Sequence, residues 1–387
     1  MDTLLTCCCG LDVHKEIIQG CILKGLGNDP LPIRREFQAT RLGLSELRAW
    51  LIDNECICVA MESTGVYWRP VFETLEAEPR FEQLYVVNAY HMRNLPGRKN
   101  DVGDAEWIAS LFRHGLLRNS FVPERRIRTM REVSRMKRAL VDEHSAHVNR
   151  LEKFLQTRGF KLSSVVSNIL GVCARQLLDT LAHRGWLTLC DVEAAYTGKL
   201  KATPSEIHAA VCGRLDAHER AILSICLNKL DALDAEIHNL LDLLSDLAQP
   251  DQEQLQLLDS IPGIDSNAAL SILAEIGPAP HRNFADSGRL CAWAGLVPRN
   301  DESAGKIKSR KILHGNPYIK SILCQTAWAA VYTRNSVFHE WFWKHQAHLG
   351  RKKAIIAVAR KMLALIFTLL QSGQSYDASL PLANAAS

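Results

Sequence analysis

Cys7-Cys8-Cys9-Gly10-Leu11-Asp12-Val13, followed after a short polar break by Ile17-Ile18-Gln19-Gly20-Cys21-Ile22-Leu23, is the stretch that decides the fold. Two β-rich apolar runs this close together predict the two strands of a hairpin, with Asp12 inside or at the end of the first. Working outward, Arg41 to Ile52 carries Leu44, Leu47, Trp50 and Leu51 on one stripe and predicts a helix. Cys56-Ile57-Cys58-Val59-Ala60-Met61 is a continuous apolar run of buried-strand length that ends at Glu62. Trp68 to Glu76 predicts a helix and Phe81 to Asn88 a strand. A loop through Pro96 then delivers the chain to Asn100-Asp101-Val102-Gly103-Asp104, read as the first turns of a further helix. Hairpin, helix, strand, helix, strand, helix is an α/β layout, a central sheet covered by helices.

The acidic residues of this layout draw attention to one end of the sheet. Asp12 sits among apolar strand residues, where a carboxylate is costly unless something pairs it. Glu62 ends a later strand, and Asp101 with Asp104, three residues apart, share one face of a helix. Strand ends and the helix start beside them are where a site forms in an open α/β sheet. Each acid alone has an ordinary reading: Asn100 is a good N-cap, aspartates in a first turn offset the helix dipole, and Asp12 fits a strand-end aspartate bonded to a turn. Jointly, four converging hard-oxygen ligands favour a divalent metal held against a phosphodiester.

The length of 387 residues suggests two or three domains. A hydrophobic share of 47% with 23% charged residues describes an ordinary soluble globular protein. The net charge is only +4, but bases crowd Arg113 to Lys161 and Arg299 to Lys361 while Glu206 to Asp259 is mostly acidic. That segregation points to a polyanion-binding surface on part of the molecule. The 12 cysteines include no C-x-x-C spacing, so neither a zinc site nor a disulfide framework is signalled, and cysteines serving as small core residues of a reduced cytosolic protein is the simpler reading. Asp2 and the lack of a basic stretch before an apolar run argue against a signal peptide. Ala354 to Leu370 is interrupted by Arg360-Lys361 and reads as a buried helix, not a membrane span.

Pro123 to Arg158 predicts a long helix whose first half holds Arg125, Arg126, Arg128, Arg131, Arg135, Lys137 and Arg138, either a solvated face or a phosphate-contacting one. Short helical patterns fill Phe160 to Gly213. Leu223, Leu230, Ile237 and Leu244, with Cys226, Leu233, Leu240 and Leu247 between them, make four heptads of coiled-coil spacing. The partner of that coil is the Pro123 to Arg158 helix or another chain. Leu257 to Ile264 and the helix after it resemble a helix-hairpin-helix element in part, with Asp265 where a second glycine belongs; an ordinary helical turn fits equally. In Glu302-Ser303-Ala304-Gly305-Lys306 a serine stands among small residues, followed by Lys306, Lys308, Arg310 and Lys311 as cations for phosphate oxygens. A mobile basic loop is the alternative.

Gly10-Leu11-Asp12-Val13-His14-Lys15, Met61-Glu62-Ser63-Thr64-Gly65, Asp101-Val102-Gly103-Asp104-Ala105, Gly295-Leu296-Val297-Pro298, Glu302 to Lys306 and Gly315-Asn316-Pro317-Tyr318-Ile319-Lys320 form an ordered set. From Gly10 to Leu370 this set resembles the DEDD transposases of bacterial insertion sequences, the IS110 family, which includes bridge-RNA-guided recombinases. The resemblance implies a RuvC-like (RNase H-like) domain over 1–121, a coiled-coil region, carried here by a basic helix over 122–160 and a heptad helix over 215–250, and a mostly helical transposase domain over 251–370. A helical insert of no assigned role over 161–214 and a tail over 371–387 that reads as disordered complete the chain. It puts the acidic tetrad on Asp12, Glu62, Asp101 and Asp104, with two Mg2+ ions per site, and the nucleophile on Ser303. Donor and target DNA, a structured bridge RNA and a homo-oligomer, a dimer assembling to a tetramer, are the implied partners. No membrane is among them, and the implied location is the bacterial cytoplasm, with the nucleoid. The sequence departs from the pattern in having Ala304 where many relatives carry glycine, and between Phe160 and Gly213. A metal-dependent RuvC-like nuclease using water, with Ser303 structural, is the competing enzyme; a non-catalytic nucleic-acid scaffold is the competing class.

Overall fold

The computed structural model describes residues 4–25, 30–63, 65–88, 92, 103–198, 200–298, 301–303, 306–309, 311–312 and 314–377. The chain divides into two units, Met1–Val122 and Pro123–Ser387.

In the first unit, strands β1 (Cys7–Val13), β2 (Ile17–Lys24) and β3 (Leu31–Gln38) precede helix α1 (Arg41–Asp53), β4 (Cys58–Glu62), α2 (Trp68–Glu76), β5 (Gln83–Val87) and α3 (Asp104–Arg113). The sheet order is β3-β2-β1-β4-β5. The first three strands are antiparallel, and β1, β4 and β5 run parallel. The expected two-stranded hairpin is therefore a three-stranded meander. β3 escaped the sequence pattern because Phe37 is its one buried residue and Arg34, Arg35 and Glu36 are exposed, the composition of a protected sheet edge.

The central strands are covered on both faces, which is why they read as unbroken apolar runs instead of alternating ones. Cys9, Leu11 and Val13 face Leu47, Leu51, Val71 and Leu75 of α1 and α2. Cys8, Cys58 and Ala60 point the other way, to Ala105, Ile108, Ala109 and Phe112 of α3. Between them Gly10 lets α3 lie directly on β1: a Cβ there would come 2.2 Å from the carbonyl oxygen of Ala105 and 2.4 Å from the nitrogen of Ala109.

The second unit comprises α4 (Arg125–Gln156), α5 (Leu162–Val165), α6 (Val172–Arg184), α7 (Leu189–Ala195), α8 (Pro204–Val211), α9 (Ala217–Leu247), α10 (Gln252–Asp259), α11 (Ser266–Ile276) and α12 (Ser287–Trp293). A short hairpin, β6 (Asp301–Ser303) and β7 (Lys306–Ser309), then leads to α13 (Pro317–Tyr332), α14 (Val337–Leu349) and α15 (Arg351–Ser372). The heptad helix α9 packs along α4 of the same chain, burying Leu223, Leu230, Leu233 and Leu244. The stretch of short helical patterns folds as α5 to α8. Its Phe160, Leu177, Leu181, Val192 and Ile207 share one core with Leu151 and Leu155 of α4 and with Leu223 and Leu227 of α9. Capping boxes at Thr188/Asp191 and Thr203/Glu206 start its short helices.

Helix α15 is the centre of the C-terminal part, with Ala354, Val358, Met362, Leu363 and Ile366 buried against α13 and α14. Among the described residues it alone is long and apolar enough to cross a membrane, and it is mostly covered by its neighbours.

Candidate functional site

The parallel register of β1 and β4 pairs Leu11 with Met61, so Asp12 and Glu62 are the next residues along adjacent strand ends. Side chains alternate along a strand, which puts Asp12 with Cys8 and Gly10, and Glu62 with Cys58 and Ala60, on the face that α3 covers. Helix α3 runs antiparallel to β1: Cys8 Sγ donates to the carbonyl of Ala109 at 3.5 Å, while Gly10 lies under Ala105 and Ala109. The N-terminal end of α3 therefore points toward Asp12, and its first residue is the exposed Asp104. The helix begins at Asp104 with Gly103 in the N-cap position, later than the Asn100 start expected from sequence. Asn100 and Asp101 lie outside the described residues.

Asp12 is 7% exposed, and its Oδ2 lies 3.0 Å from Nε2 of His14. The pairing of a strand-end carboxylate with the histidine two residues on was not drawn from the sequence, although the Asp-Val-His spacing carries the signal. In the same first turn of α3, Glu106 accepts from Nε of Arg34 at 2.9 Å, tying the helix to the edge strand β3. Among the described residues no three His, Cys, Asp or Glu side chains close around a single metal position. The donor set nevertheless fits a hard divalent cation: carboxylates at two neighbouring strand ends and at the start of the helix that crosses them, one of them buried.

The backbone of Ser303 lies on β6, in register with Lys306 of β7, with an irregularity between Asp301 and Glu302. The hairpin leaves and returns through a closed neck. Pro298 and Ile312 form a bridge, Asn316 N–H donates to the carbonyl of Trp293 at 3.1 Å, and Gly315 approaches so closely that a Cβ would meet the nitrogen of Gly295 at 2.2 Å. Gly315 also has φ +53°, which favours glycine. The motifs around Gly295 and Gly315 are thus the two sides of one neck. Asn316 caps α13, accepting from Tyr318 N at 2.9 Å and Ile319 N at 3.3 Å, and its amide donates to Glu275 Oε2 at 2.7 Å.

That carboxylate also gathers the basic helix. Arg135 donates to both Glu275 oxygens at 2.8 and 2.9 Å, and Arg131 donates to the Glu275 carbonyl at 2.6 Å. Arg126 donates to both oxygens of Asp251, at 2.7 and 3.2 Å. Arg128 is buried with Nη1 on the carbonyl of Pro123 at 2.9 Å. Of the four α4 arginines expected at phosphates, Arg126, Arg128 and Arg131 are engaged inside the fold, and Arg125 is exposed. The acceptors of Arg126 and Arg131, on Asp251 and Glu275, are more than a hundred residues away in sequence, whereas Arg128 meets the nearby Pro123. Lys306 and Lys308 lie on β7, Lys311 is exposed, and Arg310 is outside the described residues.

A groove of about 830 Å³ opens between α4, α11 and α13. Its charged lining balances, Arg135, Lys137 and Arg138 against Asp142, Asp265 and Glu275. Lys137 donates to Ser271 Oγ at 3.4 Å, and burial lowers its pKa. The turn before α11 is closed against α13: a Cβ on Gly263 would lie 2.4 Å from the nitrogen of Ala330, and Asp265 caps α11 by accepting from Ala268 N at 2.8 Å. Helix packing thus accounts for this glycine.

Residues 9–158 match a family model for DEDD transposases of the IS110 type, and residues 255–342 match one described as "Transposase IS116/IS110/IS902 family". The chain is 22% identical over 375 residues to the transposase for insertion sequence element IS1111A of Coxiella burnetii, spanning 95% of this chain and 90% of that protein. It is 26% identical over 154 residues to the pilin gene-inverting protein of Moraxella bovis, spanning 39% of this chain and 46% of that protein. The corresponding protein of Moraxella lacunata matches over the same length with the same identity.

Proposed function

This chain belongs to the IS110 family of transposases, and we propose that it recombines DNA by a serine-linked strand exchange, with Asp12, Glu62, Asp101 and Asp104 as a metal-binding tetrad. As a DNA recombinase its substrate is the phosphodiester backbone, and the observation that carries the reading is the adjacency of Asp12 and Glu62 at parallel strand ends under the start of α3. The strand order β3-β2-β1-β4-β5, antiparallel then parallel, supports an RNase H-like reading of the first unit. The tetrad would hold Mg2+, two ions in this reading, which when bound polarise the scissile phosphate and stabilise the leaving oxygen.

The remaining chemistry belongs to the chain's own groups. His14 orients the buried Asp12 carboxylate through its 3.0 Å contact. Ser303 Oγ attacks phosphorus, forming a Ser–O–P bond as the bond to one sugar oxygen breaks and that oxygen takes a proton. Attack by a sugar hydroxyl on the phosphoserine reverses the exchange and rejoins a strand, so no ATP is required. The closed neck at Gly295 and Gly315 supports this reading, because a nucleophile on a short hairpin needs a fixed base. Lys306, Lys308, Arg310 and Lys311 supply charge for phosphate oxygens.

In the same reading donor and target DNA are paired by a bridge RNA. Copies of the chain assemble through the coiled-coil helices, dimer then tetramer, and the enzyme works in the cytoplasm at the nucleoid. The experiment is Ser303→Ala with the acidic residues intact. Loss of a covalent protein–DNA adduct supports the nucleophile. A persisting adduct moves that role elsewhere, and cleavage without any adduct in the unmodified protein makes the chain a nuclease using water.

A further inference from the structure

With much of the α4 charge engaged by Asp251 and Glu275, unopposed positive charge gathers elsewhere in the second unit. Between Thr333 and Lys353 there are five cations, Arg334, Lys344, Arg351, Lys352 and Lys353, against the single carboxylate Glu340. All five are exposed, and among the described residues none is paired with a carboxylate. The same corner carries an aromatic cluster that continues to the surface. Trp328 stacks on Tyr332 with centroids 6.1 Å apart and planes at 21°, meets the buried Phe342 at 5.6 Å, and Phe342 meets Trp343 at 5.5 Å. The outer members stay open: Tyr332 is 60% and Trp343 46% exposed. Arg351 joins the cluster, 5.0 Å over the Trp328 ring and donating to Tyr332 Oη at 2.8 Å.

Rings fixed from below and open above, beside unpaired cations, are the elements of a surface for an unpaired nucleic-acid strand. Every base has a face to stack on an aromatic ring, and every phosphate is met by Lys or Arg; a duplex hides its base faces and meets the cations alone. We propose that Tyr332, Trp343 and Arg351, with Lys344, Lys352 and Lys353, bind a single-stranded segment of nucleic acid whose bases stack on the two exposed rings. This deepens the nucleic-acid role proposed above but does not depend on Ser303, because it is read by binding and not by strand exchange.

The full-length protein is titrated, by fluorescence anisotropy, into labelled oligo(dT), oligo(U) and a mixed-sequence duplex, each of about 20 units, longer than the roughly 4–16 nucleotides that one such surface covers. Tyr332→Ala with Trp343→Ala weakens the single strands by roughly tenfold or more and leaves the duplex within about twofold; the two single strands tell whether DNA or RNA is preferred. Lys352→Gln with Lys353→Gln lowers the slope of log K against log salt by roughly 0.7 for each single-strand phosphate that no longer meets a cation. Should the double alanine variant fail to fold, Trp343→Phe supplies the answer: it keeps affinity but loses the part of the tryptophan quenching that stacked bases cause at Trp343. Unchanged single-strand affinity in the alanine variant, equal loss of duplex affinity, or quenching identical in Trp343→Phe would each overturn the proposal.

Discussion

The side-chain amide of Asn316 donates to Oε2 of Glu275 at 2.7 Å, joining the neck of the Ser303 hairpin to a carboxylate that is 1% exposed. Glu275→Ala leaves the Arg135 guanidinium and the Asn316 amide without their acceptor and removes the charge beside Arg131, whose bond to the Glu275 carbonyl remains, and is expected to cost about 3–5 kcal/mol. Asn316→Ala removes a helix cap and one donor to the carboxylate, and is expected to cost about 1–3 kcal/mol. Denaturant unfolding of both variants checks the order; an equal or reversed pair of losses would refute the network.

Gly10→Ala is expected to be among the most damaging small substitutions in the first unit. The added methyl would meet α3 backbone at 2.2 and 2.4 Å, and neither the sheet nor a helix backbone gives way as a flexible side chain would. The loss should reach about 3 kcal/mol or more, and strand cleavage should fall further than Mg2+-independent DNA binding because Asp104 moves with the helix. Normal stability and cleavage in this variant would show that α3 docks differently.

In the proposed reading the carboxylates at the strand ends hold the metal. Mg2+ at a hundredfold excess over its Kd should stabilise the protein by about 2.7 kcal/mol, seen as a rise in melting temperature that a chelator reverses. Asp12→Asn and Glu62→Gln should each remove that rise while the protein remains folded. A rise of the same size in both variants would place the ion elsewhere.

The basic helix separates into two kinds of arginine. Arg126→Ala strands Asp251, a buried carboxylate, and is expected to destabilise by about 2–4 kcal/mol, somewhat less than a fully buried pair because Arg126 is partly exposed. Arg125→Ala leaves stability unchanged and affects nucleic-acid affinity alone, reducing its salt dependence by about one phosphate contact. Comparing melting curves with binding isotherms distinguishes the two.

Cys7 is the thiol to watch in pH titrations. The neighbouring Cys56 side chain lowers its pKa to about 7, burial opposes that shift, and the charge of Lys24 assists it. The thiolate is the reactive form, so alkylation at Cys7 should climb as pH rises through about 7 and level off above it. Cys56→Ala removes the principal cause and should move the midpoint upward; mass spectrometry of the labelled peptide reads both.

The first unit was largely legible in the chain because burial on both faces leaves continuous apolar runs, and because Asp12 and Glu62 interrupt those runs where an uncompensated charge is costly. Helices α1, α2, α4 and α9 likewise announce themselves through periodic apolar stripes, and Thr40 and Asp216 cap α1 and α9. β3 did not, since an edge strand with one buried side chain has almost no pattern to read. The short helices α5 to α8 were legible only as helical patterns without a role, because their stability comes from a core shared with α4 and α9.

The sequence by itself determined which residues are apolar, which acids stand at strand ends, and which glycines and asparagines punctuate the second unit. Only the tertiary structure decided partners. It put His14 on Asp12 and Glu275 under Asn316, and it turned Arg126 and Arg131 inward while leaving Arg351 beside open aromatic rings. The reason is physical: periodicity records each residue's exposure to solvent, a local property, whereas the pairing of charges depends on which distant segments are folded against one another, and one sequence pattern is compatible with many such pairings.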